Sequence, residues 1–314
     1  WMYERQNIWY RRFVAKKERP WTKDKILNEY KFTNCYRELD SNTQWLIKNL
    51  IDKEFGSTIE ERRQQEILWG IIVFRYFNKS ELFDFMLKSS RFKEAIPSLN
   101  NYSEEYFNKK VLEYKEKYGR VFTNAYMINP PKKKEDRKLG LELFYCKHIK
   151  NLHNEFILLW DFYKKCETAK EFCDYLTRFE CIAGFIAYEI YCDLTYTDWF
   201  KFKDNDFVNV GPGAKFGLEL LFPSLFINRK LERYEKRLGY LMENTDRFFE
   251  LFGFENFKYY NKKDPVDYYN GKHLGLRSIE HSLCEYSKYF KVKLHVGKQR
   301  LKFEPKTKND IFIN

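Results

Sequence analysis

Apolar side chains recur at helical spacing along most of the chain. Ile67, Leu68, Ile71, Ile72 and Phe74 share a face behind Ser57-Thr58-Ile59-Glu60, a capping box in which Ser or Thr precedes Glu by three positions. Ser103, followed by Glu104 and Glu105, can cap a helix that runs through Tyr114. Leu141 to Cys166 keeps the same period, and Thr168 with Glu171 forms a second capping box for a helix to about Arg178. Ile182 to Leu194 is apolar on most sides and reads as a buried helix. Helices are predicted again over 214–222, 228–243 and 276–290. Two-residue alternation is confined to Phe122–Ile128 and Val292–His295, which suffices for one small hairpin. Residues 129–138 read as a basic turn and 201–213 as a loop. The predicted class is all-α, mainly helical, with room for two lobes and one small β element.

Composition narrows this picture. The 314 residues include 30 Phe, 24 Tyr and 7 Trp, too many for a disordered chain, and no run of 18 apolar residues. With a mean hydropathy of -0.68, an integral membrane protein is excluded as an expectation. No linker or repeat stands out, so we expect a single catalytic domain over 1–291, opening with a basic helical arm at 1–25, and a basic extension over 292–314. The first residues lack a signal segment and the seven cysteines show no CxxC pair, so a cytoplasmic protein with reduced thiols is expected. Cys146, His148 and His153 fit no common zinc spacing, and neither metal nor cofactor is expected. The formal charge is +12, with 57 Lys and Arg against 45 Asp and Glu. Nucleic-acid binding and a simple Lys-rich bias explain that charge equally well on composition alone.

Four constellations can carry chemistry. Gly211-Pro212-Gly213-Ala214-Lys215 opens a helical run, where free N–H groups and the helix dipole favour an anion. It fits a phosphate turn, a helix-hairpin-helix grip on DNA, or an ordinary helix start; no GxxxxGK[ST] motif occurs. Phe32 to Leu46, read as a helix, stacks Asn34, Arg37 and Asp40, with Gln44 nearby, as either a base-holding set or a solvated face. Tyr188-Glu189 to Asp193 puts carboxylates in an apolar helix, suited to acid–base work or to capping the next element. Glu280, His281, Cys284, Glu285 and Lys288 form the fourth, whose plain reading is an intrahelical Glu285–Lys288 salt bridge.

Further segments join these in order: Glu4-Arg5 with Arg11-Arg12 and Pro20-Trp21-Thr22, Arg75-x-Phe77-Asn78, and Ala125-Tyr126. Together they resemble the α-glutamyl/putrescinyl thymine pyrophosphorylase superfamily, which also includes the helical domain attached to phage 5-hydroxymethyluracil DNA kinases. The resemblance implies a helix-hairpin-helix DNA glycosylase-like fold and base flipping from double-stranded DNA that carries modified pyrimidines. The expected protein is a monomer of a bacterial or phage-infected cell. The favoured activity is hydrolysis of the N-glycosidic bond of a C5-modified pyrimidine, in anti-phage defence. Asp193 or Glu285 would serve at the sugar, and Lys215 would be a Schiff-base candidate or a phosphate contact. Asn34, Arg37, Asp40, Gln44, Arg75, Asn78, Tyr188, Glu280, His281 and Lys288 would hold the base or substrate, with Tyr126 stacking. Gly211, Gly213, Lys215, Arg11 and Arg12 would hold phosphates. The alternatives are a transferase that displaces pyrophosphate from a 5-pyrophosphoryloxymethyl base, with Arg37, Arg75 and Lys288 on the leaving anion, and a non-catalytic DNA-binding module.

Overall fold

The computed structural model describes residues 1–52, 60–89, 94–124, 129–223, 231–260, 274–297 and 302–303. The chain forms two compact units: Trp1–Ser41 with Val208–Asn314, and Asn42–Phe207. The described residues hold fourteen α-helices and no strand. A single antiparallel bridge, Tyr30 to Lys302, is the only β pairing among them.

The first unit starts with α1 (Met2–Trp9), prolonged by a π-helical turn, Tyr10–Val14. The helix therefore stops well before residue 25. A short α2 (Lys25–Glu29) follows, its N-cap Asp24 accepting from the Leu27 N–H at 2.9 Å. Residues 32–46 do not form the single helix expected. Asp40 Oδ1 accepts from the Asn34 backbone N–H at 2.9 Å, a side-chain bond that competes with helical pairing. The stretch instead becomes a loop, a 3₁₀ turn (Arg37–Leu39) and α3 (Ser41–Leu46).

The second unit is organised around α4 (Glu60–Phe77), whose residues from Glu66 to Phe77 are all buried. Trp45 of α3 stacks on Phe74 with centroids 5.2 Å apart, and Phe83 lies 5.3 Å from Phe74. Full burial of each such ring is worth about 1.5–3 kcal/mol. α5 (Ser80–Ser89) and α6 (Glu104–Tyr118) follow, the latter capped by Ser103 as expected. Within the stretch read as a turn, Lys134–Leu139 is helical (α7), with Glu135 and Asp136 favourably placed in its first turn. α8 (Leu141–Lys165) agrees with the predicted run to one residue. α9 (Ala169–Leu176) opens on the Thr168–Glu171 capping box, both bonds present. α10 (Gly184–Leu194) packs on α4.

The first unit resumes with α11 (Pro212–Leu221), α12 (Leu231–Glu243), α13 (Thr245–Leu251) and α14 (Leu276–Lys293). Val292 and Lys293 end α14 rather than starting a strand, and Phe122 to Asn124 are irregular. The rest of the Phe122–Ile128 run and most of the Ser57 capping box lie outside the described residues.

Candidate functional site

A helix as apolar as α4 can bury an arginine only against anionic partners. Arg75, 2% exposed, has them on α10. Its Nε and Nη2 donate to the two oxygens of Asp193 at 2.5 and 2.6 Å, a bidentate fork. Its Nη1 donates to Glu189 Oε2 at 2.9 Å and to Asn78 Oδ1 at 3.1 Å. The structure thus joins Arg75, Asn78 and Asp193, which the sequence had picked separately. It gives Glu189, the other acid of that apolar helix, the same cation as its partner. Tyr188 is buried beside them in sequence and stacks on Tyr191, centroids 5.9 Å apart.

The first unit has the opposite arrangement: its central helix turns a polar face inward. Arg277, Ser278, Glu280, Ser282, Glu285 and Ser287 of α14 are all buried. Glu285 accepts from the Thr33 N–H at 3.2 Å through Oε2 and from Lys288 Nζ at 2.6 Å through Oε1. Asp40 ties the neighbouring loop, accepting from Arg37 Nη1 at 2.7 Å through Oδ2 and from Asn34 Nδ2 at 3.0 Å through Oδ1. Burial raises its carboxyl above the ordinary value, and Arg37 and the Asn34 N–H oppose that rise. Arg5 of α1 donates to the carbonyls of Thr33 and Phe32 at 3.0 and 3.3 Å. Burial lowers its guanidinium pKa, while Cys35, Asp40 and Glu285 act to raise it. Burial also pushes the Cys35 thiol up to about 11, so it is no ready nucleophile. Two buried acceptors of this loop, Thr33 Oγ1 and Asn34 Oδ1, find no hydrogen-bond partner among the described residues. They leave capacity for a ligand that donates.

Gly211 is the N-cap of α11, and its N–H donates to Glu280 Oε1 at 3.0 Å. A carboxylate of the same unit thus takes the helix-start position where a phosphate was expected. Gly213 and Gly217 face α14. A Cβ on Gly213 would meet Cys284 Sγ at 2.5 Å, and one on Gly217 would meet the Leu283 carbonyl oxygen at 2.7 Å. Close helix contact therefore accounts for both glycines. The Lys215 ammonium lies 5.6 Å from the Tyr234 ring centroid. His281 Nδ1 lies 2.8 Å from the Arg277 carbonyl, which can only accept, so this nitrogen carries the proton.

The expected residues therefore fall into separate sets. Asn34, Arg37, Asp40, Glu280, His281, Glu285, Lys288, Gly211, Gly213, Lys215, Arg11 and Arg12 belong to the first unit; Gln44, Arg75, Asn78, Tyr188 and Asp193 belong to the second. Tyr126 lies outside the described residues. Sequence reasoning did not single out Arg277; it read Thr33 and Glu189 only as members of their segments and Arg5 only as part of the N-terminal basic stretch. Among the described residues no His, Cys, Asp and Glu group suited to a metal ion occurs, and no helix is long and apolar enough to cross a membrane.

Polar networks of this kind, each inside its own helical unit, define an all-α protein whose buried charges are paired within the unit that holds them. The chain belongs to the family described as 5-hmdU DNA kinase, helical domain, which residues 1–299 match. It is 29% identical over 306 residues to the 5-hmdU DNA kinase of Bacillus phage SP10, across 91% of this chain and 43% of that protein. The chain thus spans less than half the length of this relative. No solved structure matches it. The expected kinship with the phage kinase helical domain holds. The expectation of a glycosylase hydrolase is corrected: the relative is a kinase, a phosphoryl transferase, and the match is to its helical domain.

Proposed function

We propose that this chain is a DNA-engaging helical domain that serves a 5-hmdU-directed kinase activity and performs no bond chemistry of its own. The observation that carries this reading is the match of residues 1–299 to a kinase helical domain. The state of the acids supports it. Asp193 has both oxygens on Arg75, and Glu285 has its two oxygens on Lys288 and the Thr33 N–H. Carboxylates fastened in this way organise a fold; a general acid or base needs a reacting group within hydrogen-bond reach. Arg37 and Arg75, candidates for a leaving anion, are likewise held by carboxylates.

Its partner is double-stranded DNA carrying a 5-hydroxymethyl pyrimidine, in a phage-infected bacterial cell. The net charge of +12 supplies affinity for phosphates, and the Asn34–Arg37–Asp40 loop with its two unpartnered acceptors is where a base hydroxymethyl or amide could donate. Fluorescence anisotropy with duplexes bearing 5-hmdU or thymine, at several salt concentrations, tests this. The expected result is a dissociation constant that weakens steeply with salt, tighter binding of the 5-hmdU duplex, and unaltered nucleosides by mass spectrometry. Absence of micromolar binding to either duplex, or release of a free base, would overturn it.

A further inference from the structure

The arginines of the N-terminal stretch have different fates. Arg11 Nη1 is taken by Glu4 Oε1 at 2.9 Å and the Trp21 carbonyl at 2.6 Å. Arg5 is taken by two carbonyls, and Arg19 Nη2 by the Asn28 carbonyl at 2.7 Å. Arg12 has neither a carboxylate nor a hydrogen-bond acceptor among the described residues. Its surroundings are aromatic: the guanidinium carbon lies 4.5 Å from the Phe13 ring centroid, 5.0 Å from Trp21 and 5.3 Å from Phe303. Arg19 shares two of these rings, at 5.5 Å from Trp21 and 5.4 Å from Phe303.

Ring faces stabilise the charge of a guanidinium but accept none of its in-plane N–H groups, of which arginine has five. Two more guanidiniums make the place more positive: burial, then Arg5 and Arg19, all lower the pKa of Arg12. Arg5, Arg12, Trp21, Tyr30, Phe32 and Phe303 line one cavity of about 40 Å³. That is room for a few water molecules, hence for a phosphate group but not for a sugar and base. A planar, bidentate donor beside like charges and aromatic walls matches an anion that is trigonal in face and doubly accepting, on a molecule that also carries a flat ring.

We propose that the Arg12 cavity is a nucleotide site. The phosphate enters the cavity and accepts from Arg12, with Arg5 and Arg19 adding field, while the base remains at the mouth against the Trp21 and Phe303 rings. The site recognises the phosphate and any base, so it stands apart from the reading of a modified pyrimidine given above. The same chemistry can arrive as a free nucleoside monophosphate or as the phosphorylated 5′ end of a DNA strand.

Isothermal titration of the full chain with inorganic phosphate, thymidine, thymidine 5′-monophosphate, and 5′-phosphorylated or 5′-hydroxyl oligonucleotides tests it. The monophosphate should bind at least ten times tighter than phosphate or thymidine alone. Tighter binding of the phosphorylated oligonucleotide than of the mononucleotide identifies a strand end as the occupant, and the reverse order identifies a free nucleotide. Arg12→Gln should weaken the monophosphate at least tenfold with an unchanged melting temperature, and Arg12→Lys should lie between. If Arg12→Gln melts early, the Arg12→Lys titration decides, since it keeps the charge and loses the fork. A monophosphate that binds no tighter than phosphate, or equally to wild type and both variants, overturns the site. Loss of 5-hmdU preference with this pocket intact would instead strike the modified-base reading.

Discussion

At the scale of single residues, the charges buried in α4 and α10 carry the sharpest consequences. Arg75→Met leaves Asp193 and Glu189 buried without their shared cation, and should lower the unfolding free energy by about 3–5 kcal/mol. Asp193→Asn leaves Arg75 paired with Glu189, so its urea midpoint should fall distinctly less than that of Arg75→Met. Equal losses would show that the fork geometry, not the charge balance, holds these helices. His148 makes a second prediction. Burial lowers its pKa below 6.5, the nearby Lys147 and Lys133 adding to the effect and Glu180 and Asp136 opposing it, and its Nε2 is buried without a partner among the described residues. Below pH 6.5 the unfolded chain takes up a proton that the folded chain resists, so stability should fall as pH drops through that range. Urea melts at pH 7.5 and 5.5 should show this loss in the wild type and a smaller one in His148→Phe. The presence of these groups was readable in the sequence, because a charged residue inside an apolar helix must find a partner. Which partner it finds was not: Arg75 and Asp193 are far apart in the chain, and only packing unites them.

At the scale of elements, helix periods and caps were legible wherever they were local. Leu141 to Cys166 and the Thr168 box needed no tertiary information, and Thr168→Ala should cost about 0.5–2 kcal/mol by chemical denaturation. The stretch from Phe32 to Leu46 was not legible, because Asp40 and Asn34 spend their side chains on backbone and on each other. The glycines of α11 were seen but their cause was not, since close contact with α14 has no sequence period. Gly213→Ala should be destabilising by about 1–3 kcal/mol and should recover in part in the double variant with Cys284→Ala, which removes the sulfur that a Cβ would strike. Gly217→Ala, aimed at the Leu283 carbonyl oxygen, should show no such recovery with a side-chain change. If both alanine variants melt as the wild type does, the glycines are not there for helix contact.

At the scale of the whole molecule, residues 42–207 form one unit without a break, and the other unit is closed by stretches from both sides of them. A contiguous stretch with its own core, built on α4, should fold when expressed alone, with helical circular dichroism and a cooperative melt; a non-cooperative melt would count against it. The sequence showed no flexible linker at either crossing, and it read the chain as continuous for that reason. What the sequence determined by itself is the helical class, the caps, the basic charge and the presence of buried polar groups, because propensity, periodicity and charge are local or summed properties. What only the tertiary structure decided is where those groups meet: Arg75 with Asp193, Glu285 with the Thr33 N–H, Glu280 at the start of α11, and Arg12 with the Phe303 ring. These are pairings between distant positions, selected by the desolvation cost of leaving any of them alone in the core, and no local pattern encodes that choice.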